Sequence, residues 1–258
     1  MREALKKVIP TSVLERRKQY ILSRLRRRSV QSLSVSQAGQ DFWVYAEAFN
    51  LMTGGYFVDV GAHDGVFLSN TYILESRYGW RGVCVEANPR TFRDLRLNRK
   101  CLCSNVCVDS SSGMVEFALT GTVGGIIADD TDNQGFFDPD STVTVQAVKL
   151  SDLLVQSRSP RIVDYLTMDI EGAEERALLG FPFEDYVFRV VTIERPSAKL
   201  RDKLTQSGYL LVKEIPGLDC FYVHSSFREQ YLRNCYAFYA ARRRVHRVLA
   251  SDASVKQI

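Results

Sequence analysis

Residues 55–71 read GYFVDVGAHDGVFLSNT, and the reading of this stretch decides the fold. Tyr56 to Val60 is a short β-branched and aromatic run of the kind that forms a buried parallel strand; it carries Asp59 near its end and is followed by Gly61 and Gly65. Glycines at the carboxyl end of a strand let backbone come close to a ligand and leave the free N–H groups of the next helix facing it. Strand, glycine turn and helix in that order therefore mark a binding rim on an open α/β sheet.

The turn departs from the dinucleotide fingerprint G-x-G-x-x-G, because His63 fills the second glycine position while Asp59 and Asp64 flank the turn. Two acids beside a pyrophosphate would repel it. They suit a cationic ligand, and S-adenosylmethionine carries both an ammonium and a sulfonium group. A tight turn without any ligand would leave the same local pattern. The next strand separates the two: Gly82 to Glu86 is a second buried run ending in an acid. An acid about 20 residues past the glycine turn is placed to accept both ribose hydroxyls of a nucleoside.

The rest of the chain alternates strands with helices. From Met1 to about Ser29 the pattern is helical and basic; residues 29–36 read as a polar linker, and QAGQDFWVYAEAFNLM suits an amphipathic helix before the first strand. Ser69 to Tyr78 predicts a helix closed by Gly79, and Pro89 to Arg99 another that begins on proline. Ser104 to Val108 reads as the third strand, ending at Asp109 and Ser110, where an acid can meet an adenine amino group. Between Gly113 and Lys149, alternating VEFAL and TVTVQAV flank a polar connection rich in glycine and aspartate, which predicts short antiparallel strands around a lid or binding loop. Leu150 to Gln156 predicts a short helix.

VDYLTMDI (Val163 to Ile170) is the fourth parallel strand and runs into the helix EGAEERALLG. Asp169 thus sits at the carboxyl end, where open α/β sheets bind their ligands; Glu171 and Glu174 follow at a helix start, which favours acids in any protein. VFRVVTIE ends the fifth strand on Glu194, a helix follows over Ser197 to Ser207, and YLLVKEI and DCFYVHS form a final hairpin. The expected architecture is α/β: a doubly wound, mostly parallel seven-stranded sheet of class I methyltransferase type with a terminal antiparallel hairpin. The expected divisions are a basic extension and linker over 1–35, a core domain over 36–226 carrying the 113–149 insertion, and a basic amphipathic tail over 227–258.

Composition bounds the reading further. With 258 residues, 45% of them hydrophobic and 25% charged, the chain can hold one sizeable core. It lacks an apolar run long enough to span a bilayer and an N-terminal apolar segment of signal type, so a cytoplasmic protein is expected. The six cysteines are too sparse for a disulfide scaffold, and the spacing of Cys101, Cys103 and Cys107 is not that of a zinc site. The net charge of +4 is unevenly placed. Arginines and Lys18 crowd residues 16–28, and Arg242, Arg243, Arg244 and Arg247 crowd the other end; such clusters attract nucleic acid or anionic lipid, or form a solvated helix face.

Taken in order, SQAGQD, GGYFVDVGAHDG, LSNTYILE, GWRGVCVEANP, MDIEGAE, GYLLVKE and FYVH resemble the FkbM family of S-adenosylmethionine-dependent methyltransferases, over roughly Ser36 to Phe227. The resemblance implies a Rossmann-like fold and methyl transfer to an acceptor hydroxyl. It implies that Asp59, Gly61 and Gly65 hold the methionine portion of the cofactor, Glu86 the ribose and Asp109 the adenine edge. His63, Asn70 and Asp169 line the same cavity by position, with Ala62, Thr71, Ala87, Asn88 and Ser110 beside them. The family often has asparagine or histidine after the fifth-strand glutamate, whereas this chain has Glu194, Arg195 and Pro196.

For a hydroxyl acceptor a base must take the proton. Asp169 is the first candidate, with Glu171, Glu194 and His63 as catalytic neighbours able to shift its acidity. Alternatively the acids ending the fourth and fifth strands hold Mg²⁺, which acidifies the hydroxyl itself. Three functions stay open: O-methylation of a small molecule or glycan, methylation of RNA or a nucleotide through the basic ends, and a cofactor-binding scaffold without catalysis.

Overall fold

The computed structural model describes residues 34–119, 124–128, 131 and 141–240. The helix expected before Ser29, much of the connection inside 113–149, and the tail beyond residue 240 lie outside the described residues.

The described chain opens with a short helix, α1 (Gln40–Phe42), that widens into a π-helical turn over Trp43–Ala48. There follow β1 (Tyr56–Val60), α2 (Tyr72–Tyr78), β2 (Arg81–Val85), α3 (Pro89–Asn98), β3 (Leu102–Ser104), β4 (Cys107–Val108), β5 (Gly113–Ala118) and β6 (Thr142–Val148). The second half contributes α4 (Leu150–Gln156), β7 (Ile162–Met168), α5 (Glu174–Leu179), β8 (Val187–Glu194), α6 (Ala198–Gln206), β9 (Tyr209–Glu214) and β10 (Asp219–His224). Residues 228–240 form a last helix, α7.

Seven strands make one sheet in the order β3-β2-β1-β7-β8-β10-β9. The pairs from β3 to β8 are parallel, and β10 runs antiparallel to both β8 and β9. The order in which strands are added reverses between β1 and β7, which remain parallel, and that switch point is where an α/β sheet opens a crevice at its carboxyl edge. Alternation along β1 builds both cores: Val58 and Val60 pack with Leu153, Leu154, Leu178 and Leu200 from α4, α5 and α6, while Phe57 packs with Trp43, Leu74 and Leu95 on the other face. The sheet is thus wound on both sides, as its fold class requires.

The expected third strand is divided. Leu102–Ser104 pairs with β2, whereas Cys107–Val108 leaves the main sheet and pairs with β6 in a second, three-stranded sheet, β4-β6-β5. Asn105 makes the break, because its side-chain amide donates to the carbonyls of Glu86 at 2.7 Å and Ala87 at 3.1 Å and draws the chain across the end of β2. The expected amphipathic α-helix around Trp43 is a π-helical turn instead. Its wider circumference buries Trp43, Val44, Tyr45, Ala46 and Ala48 together, with Trp43 edge-on to Phe221 and Tyr45 stacked on Tyr78. Helix α5 starts at Glu174 rather than at Glu171, because Glu171 and Gly172 adopt left-handed φ of 54° and 99°. Among the described residues no helix is long and apolar enough to cross a membrane.

Candidate active site

One cavity opens where β1, β2 and β7 end. Its polar wall comes from His63, Glu86, Asn88, Asp169 and Glu171, and its apolar wall from Val106, Phe117, Ile126, Ile170 and Ala173. Phe117 comes from β5 of the second sheet and Ile126 from the segment bridged to it, and together they close a slot that the main sheet leaves open. A flat apolar ring fits such a slot, with polar groups at its ends.

Glu86 is the best-held acid in the cavity. One carboxylate oxygen accepts the backbone N–H of His63 at 2.8 Å and the other that of Asn88 at 2.7 Å. Asn88 in turn caps α3, its Oδ1 accepting the N–H of Arg90 at 2.9 Å. Burial raises the Glu86 carboxyl above its ordinary range, while the two backbone donors and His63 pull it back. Each oxygen keeps lone-pair capacity for a ligand hydroxyl.

The glycine turn is shaped by backbone crowding. At Gly61, φ is +88° and a Cβ would strike the carbonyl oxygen of Asp169, so only glycine lets β1 and β7 end side by side. At Gly65, φ is +79° and a Cβ would lie 2.6 Å from Arg99 Cγ and 2.7 Å from Leu95, so this glycine serves the packing of α3. Gly61 and Ala62 both donate to the Val85 carbonyl, which ties the turn to β2.

Asp59 has a different occupation from the one expected. It is buried, accepts the Thr71 hydroxyl at 2.5 Å, and does not line the cavity. Thr71 Oγ1 accepts from Arg99 Nη2 at 3.0 Å, and Arg99 also pairs with Glu75 and donates to the Gly65 carbonyl at 3.2 Å. Asp59 and Thr71 thus pin the loop from beneath. Asn70 donates to Thr167 Oγ1 at 2.9 Å, and among the described residues its buried Oδ1 has no hydrogen-bond partner, a spare acceptor beside the loop.

Asp109 is likewise turned away from the expected adenine contact. Both of its oxygens meet the Arg176 guanidinium at 2.9 Å, and that pairing holds its carboxyl below the usual range against the effect of burial. Ser110 is exposed and donates its N–H to Asp109 Oδ1. Neither residue lines the cavity.

At the other end three acids meet: Asp169, Glu171 and Glu194 bring a carboxylate oxygen each within 4.8 Å of one another. Burial and the adjacent Glu194 carboxylate push the Asp169 carboxyl well above the ordinary range, and Glu171 adds to the effect. Arg195 is the counter-cation, its Nη2 lying 3.0 Å from Glu171 and 3.1 Å from Glu194. Glu174 supports the loop from within, accepting the N–H groups of Ile170 at 2.8 Å and Gly172 at 3.0 Å; burial raises its carboxyl to about 7.

The structure therefore brings Gly61, His63, Glu86, Ala87, Asn88, Asp169 and Glu171 onto one cavity wall with Glu194 adjoining, and sets Asp59, Ala62, Gly65, Asn70, Thr71, Asp109 and Ser110 behind or beside it. Sequence reasoning missed Arg99, Arg176, Phe117 and Ile126. No local pattern marks them, since each acts on a residue or slot supplied by a distant part of the chain. The six cysteines are free thiols, with Cys101 Sγ 3.5 Å from Cys84 Sγ in the core and Cys107 on the second sheet.

Comparison with known proteins gives one family match: residues 59–211 match the methyltransferase FkbM domain. No curated protein matches the chain by sequence. Among solved structures, the methyltransferase FkbM of Methylobacillus flagellatus is similar at 14% identity and a TM-score of 0.44, over 81% of this chain and 59% of that one. The chain thus spans a little under three fifths of that protein's length. A TehB-like SAM-dependent methyltransferase of Corynebacterium glutamicum is similar at 12% identity and a TM-score of 0.39, over 81% of this chain and 99% of that one.

Proposed function

The chain belongs to the FkbM methyltransferase family, and from that premise we propose that it transfers the methyl group of S-adenosylmethionine to a hydroxyl of a small molecule or glycan. The observation that carries the reading is Glu86: a buried carboxylate at the end of β2, oriented by two backbone N–H groups and facing the cavity. In this reading it accepts the ribose hydroxyls, with Ala87 and Asn88 alongside. The slot between Ile170, Phe117 and Ile126 takes the adenine, and Gly61 with His63 passes the methionine portion toward Asp169. Asp59, Ala62, Gly65, Asn70 and Thr71 hold the loop in shape, while Asp109 and Ser110 brace the second sheet.

A sulfonium is already a good leaving group, so the protein's contribution is alignment of acceptor oxygen, methyl carbon and sulfur, and exclusion of water. The acceptor proton goes to Asp169, whose raised affinity for a proton matches a general base better than an ordinary aspartate does. Glu171, Glu194 and His63 set the field around that proton. Three carboxylates at the reacting end weigh against an anionic acceptor such as RNA. They also form a candidate Mg²⁺ ligand set, but Arg195 already supplies their counter-charge, and a guanidinium and a dication would compete for the same oxygens. Full activity in the presence of a chelator is expected.

The test of the reading is calorimetric. Glu86→Ala should weaken S-adenosylmethionine binding by about 1.5 to 3 kcal/mol, the range for hydrogen bonds to a charged group. Unchanged binding in a folded variant would remove the ribose assignment.

A further inference from the structure

Helix α7 is apolar on two faces, and the fold uses one of them. On the inner face Asn234 donates to the Ala48 carbonyl at 2.7 Å, Cys235 Sγ lies 3.5 Å from the Glu47 carbonyl, and Phe238 meets Phe42 edge-on at 5.7 Å between ring centres. Tyr231 completes that face against Trp43. The helix is thereby fixed to the π-helical turn, and its outward face is fixed with it.

That outward face carries Leu232, Tyr236 and Tyr239, which are 50%, 78% and 44% exposed. Spacings of four and three residues place them on one stripe of the helix. Tyr239 is steadied at the rim by its hydroxyl, which donates to Glu47 at 2.7 Å. A water-facing row of two tyrosines and a leucine is unfavourable to leave bare, and such rows mark contact surfaces. Within the helix Glu229 pairs with Arg233 at 3.6 Å, and the sequence that follows is one-signed: residues 234–250 contain no Asp or Glu but include Arg242, Arg243, Arg244 and Arg247.

We propose that this face docks on an anionic phospholipid surface. Leu232, Tyr236 and Tyr239 enter the headgroup level with their apolar bodies, and the arginines that follow in sequence meet lipid phosphates and carboxylates. The attachment is interfacial, since no described helix is long and apolar enough to span. Nucleic acid would use the same arginines, but a convex helix face offers bases neither groove nor flat platform, and Leu232 would gain nothing from it. An anionic lipid surface uses both halves of the pattern.

The experiment is vesicle flotation of the full chain, with phosphatidylcholine vesicles against vesicles that also contain phosphatidylserine. The chain should float only with the serine-containing vesicles, and less so as salt is raised. Leu232→Ser combined with Tyr236→Ser should lower vesicle affinity about tenfold or more, as expected when buried apolar area is lost from an interfacial helix. Its circular dichroism and its cofactor binding should be unchanged. Reversing Arg242, Arg243 and Arg244 to glutamate should release the chain as well. Failure of the natural chain to float with either vesicle, or equal flotation of the serine variant, overturns the proposal. Binding to a single-stranded oligonucleotide that the serine variant loses, without flotation, would assign the face to nucleic acid instead.

Discussion

The two ends of the cavity use the same functional group, a buried carboxyl, under opposite neighbours. Burial raises both Glu86 and Asp169, yet around Glu86 the other influences, two backbone donors, the Thr91 hydroxyl and the His63 ring, favour the ionised form. Around Asp169 each further influence, from Glu194, Glu171 and Asp219, favours the proton. A carboxylate satisfied by N–H groups is a fixed acceptor suited to holding hydroxyls. One crowded by other acids is a group poised to gain and lose a proton. Buried acids alone do not distinguish binding from chemistry; what surrounds each of them does.

The sharpest way to break the comparison is to neutralise the crowded acid. Asp169→Asn should lower kcat by about 10² to 10⁴, the usual contribution of a positioned general base, while cofactor affinity holds. In the natural chain, turnover should rise with pH past the ordinary carboxylate range, because Asp169 must lose its proton to act. Glu194→Gln should move that rise to lower pH by removing the leading like charge. A pH profile that stays put in the Glu194 variant would show that the Glu194 charge does not act on Asp169.

Asp59 offers the next test, as a buried acid whose balance rests on a distant cation. Burial raises it, and Arg99 with the Thr71 hydroxyl lowers it. Arg99→Met should cost about 3 to 5 kcal/mol of unfolding free energy, because it leaves Asp59 and Glu75 without their buried partner. Chemical denaturation measures it; a cost below about 1 kcal/mol would match the value of an exposed pair and remove Arg99 as the loop's anchor.

These arginines also mark where the sequence stops being legible. The alternation of strands and helices, the terminal hairpin and the position of Glu86 are local patterns: a β-branched run, a glycine turn, an acid at the next strand's end. They read correctly because the determinants lie within a few residues of one another. Whether an acid near a strand end faces ligand or core depends on what lies across from it. Asp59 is answered by Arg99, and Asp109 by Arg176, 67 positions away in the chain. No spacing rule reaches that far. The split of the third strand turns on Asn105, a side chain that bonds the carbonyls of Glu86 and Ala87, and nothing in SNVCV distinguishes it from a strand residue.

Glu174 is the intermediate case and the finest test of the comparison. Like Glu86 it accepts two backbone N–H groups, and like Asp169 it feels the Glu194 charge, with burial as the main influence raising it from 4.5 to about 7. The sign follows from which state holds the proton. Between 4.5 and about 7 the folded chain keeps a proton that the unfolded chain has released, so this group's contribution to stability is present at low pH and falls as pH rises through that window. Glu174→Gln cannot lose a proton and can offer only one acceptor to the two donors. It should therefore be less stable than the natural chain by about 1 to 3 kcal/mol near pH 5, and the deficit should shrink toward pH 8 as the natural chain loses its own advantage. Denaturant midpoints measured across that range would follow the change. A deficit that grows with pH would mean that the two backbone donors outweigh burial and hold Glu174 as a fixed, ionised acceptor.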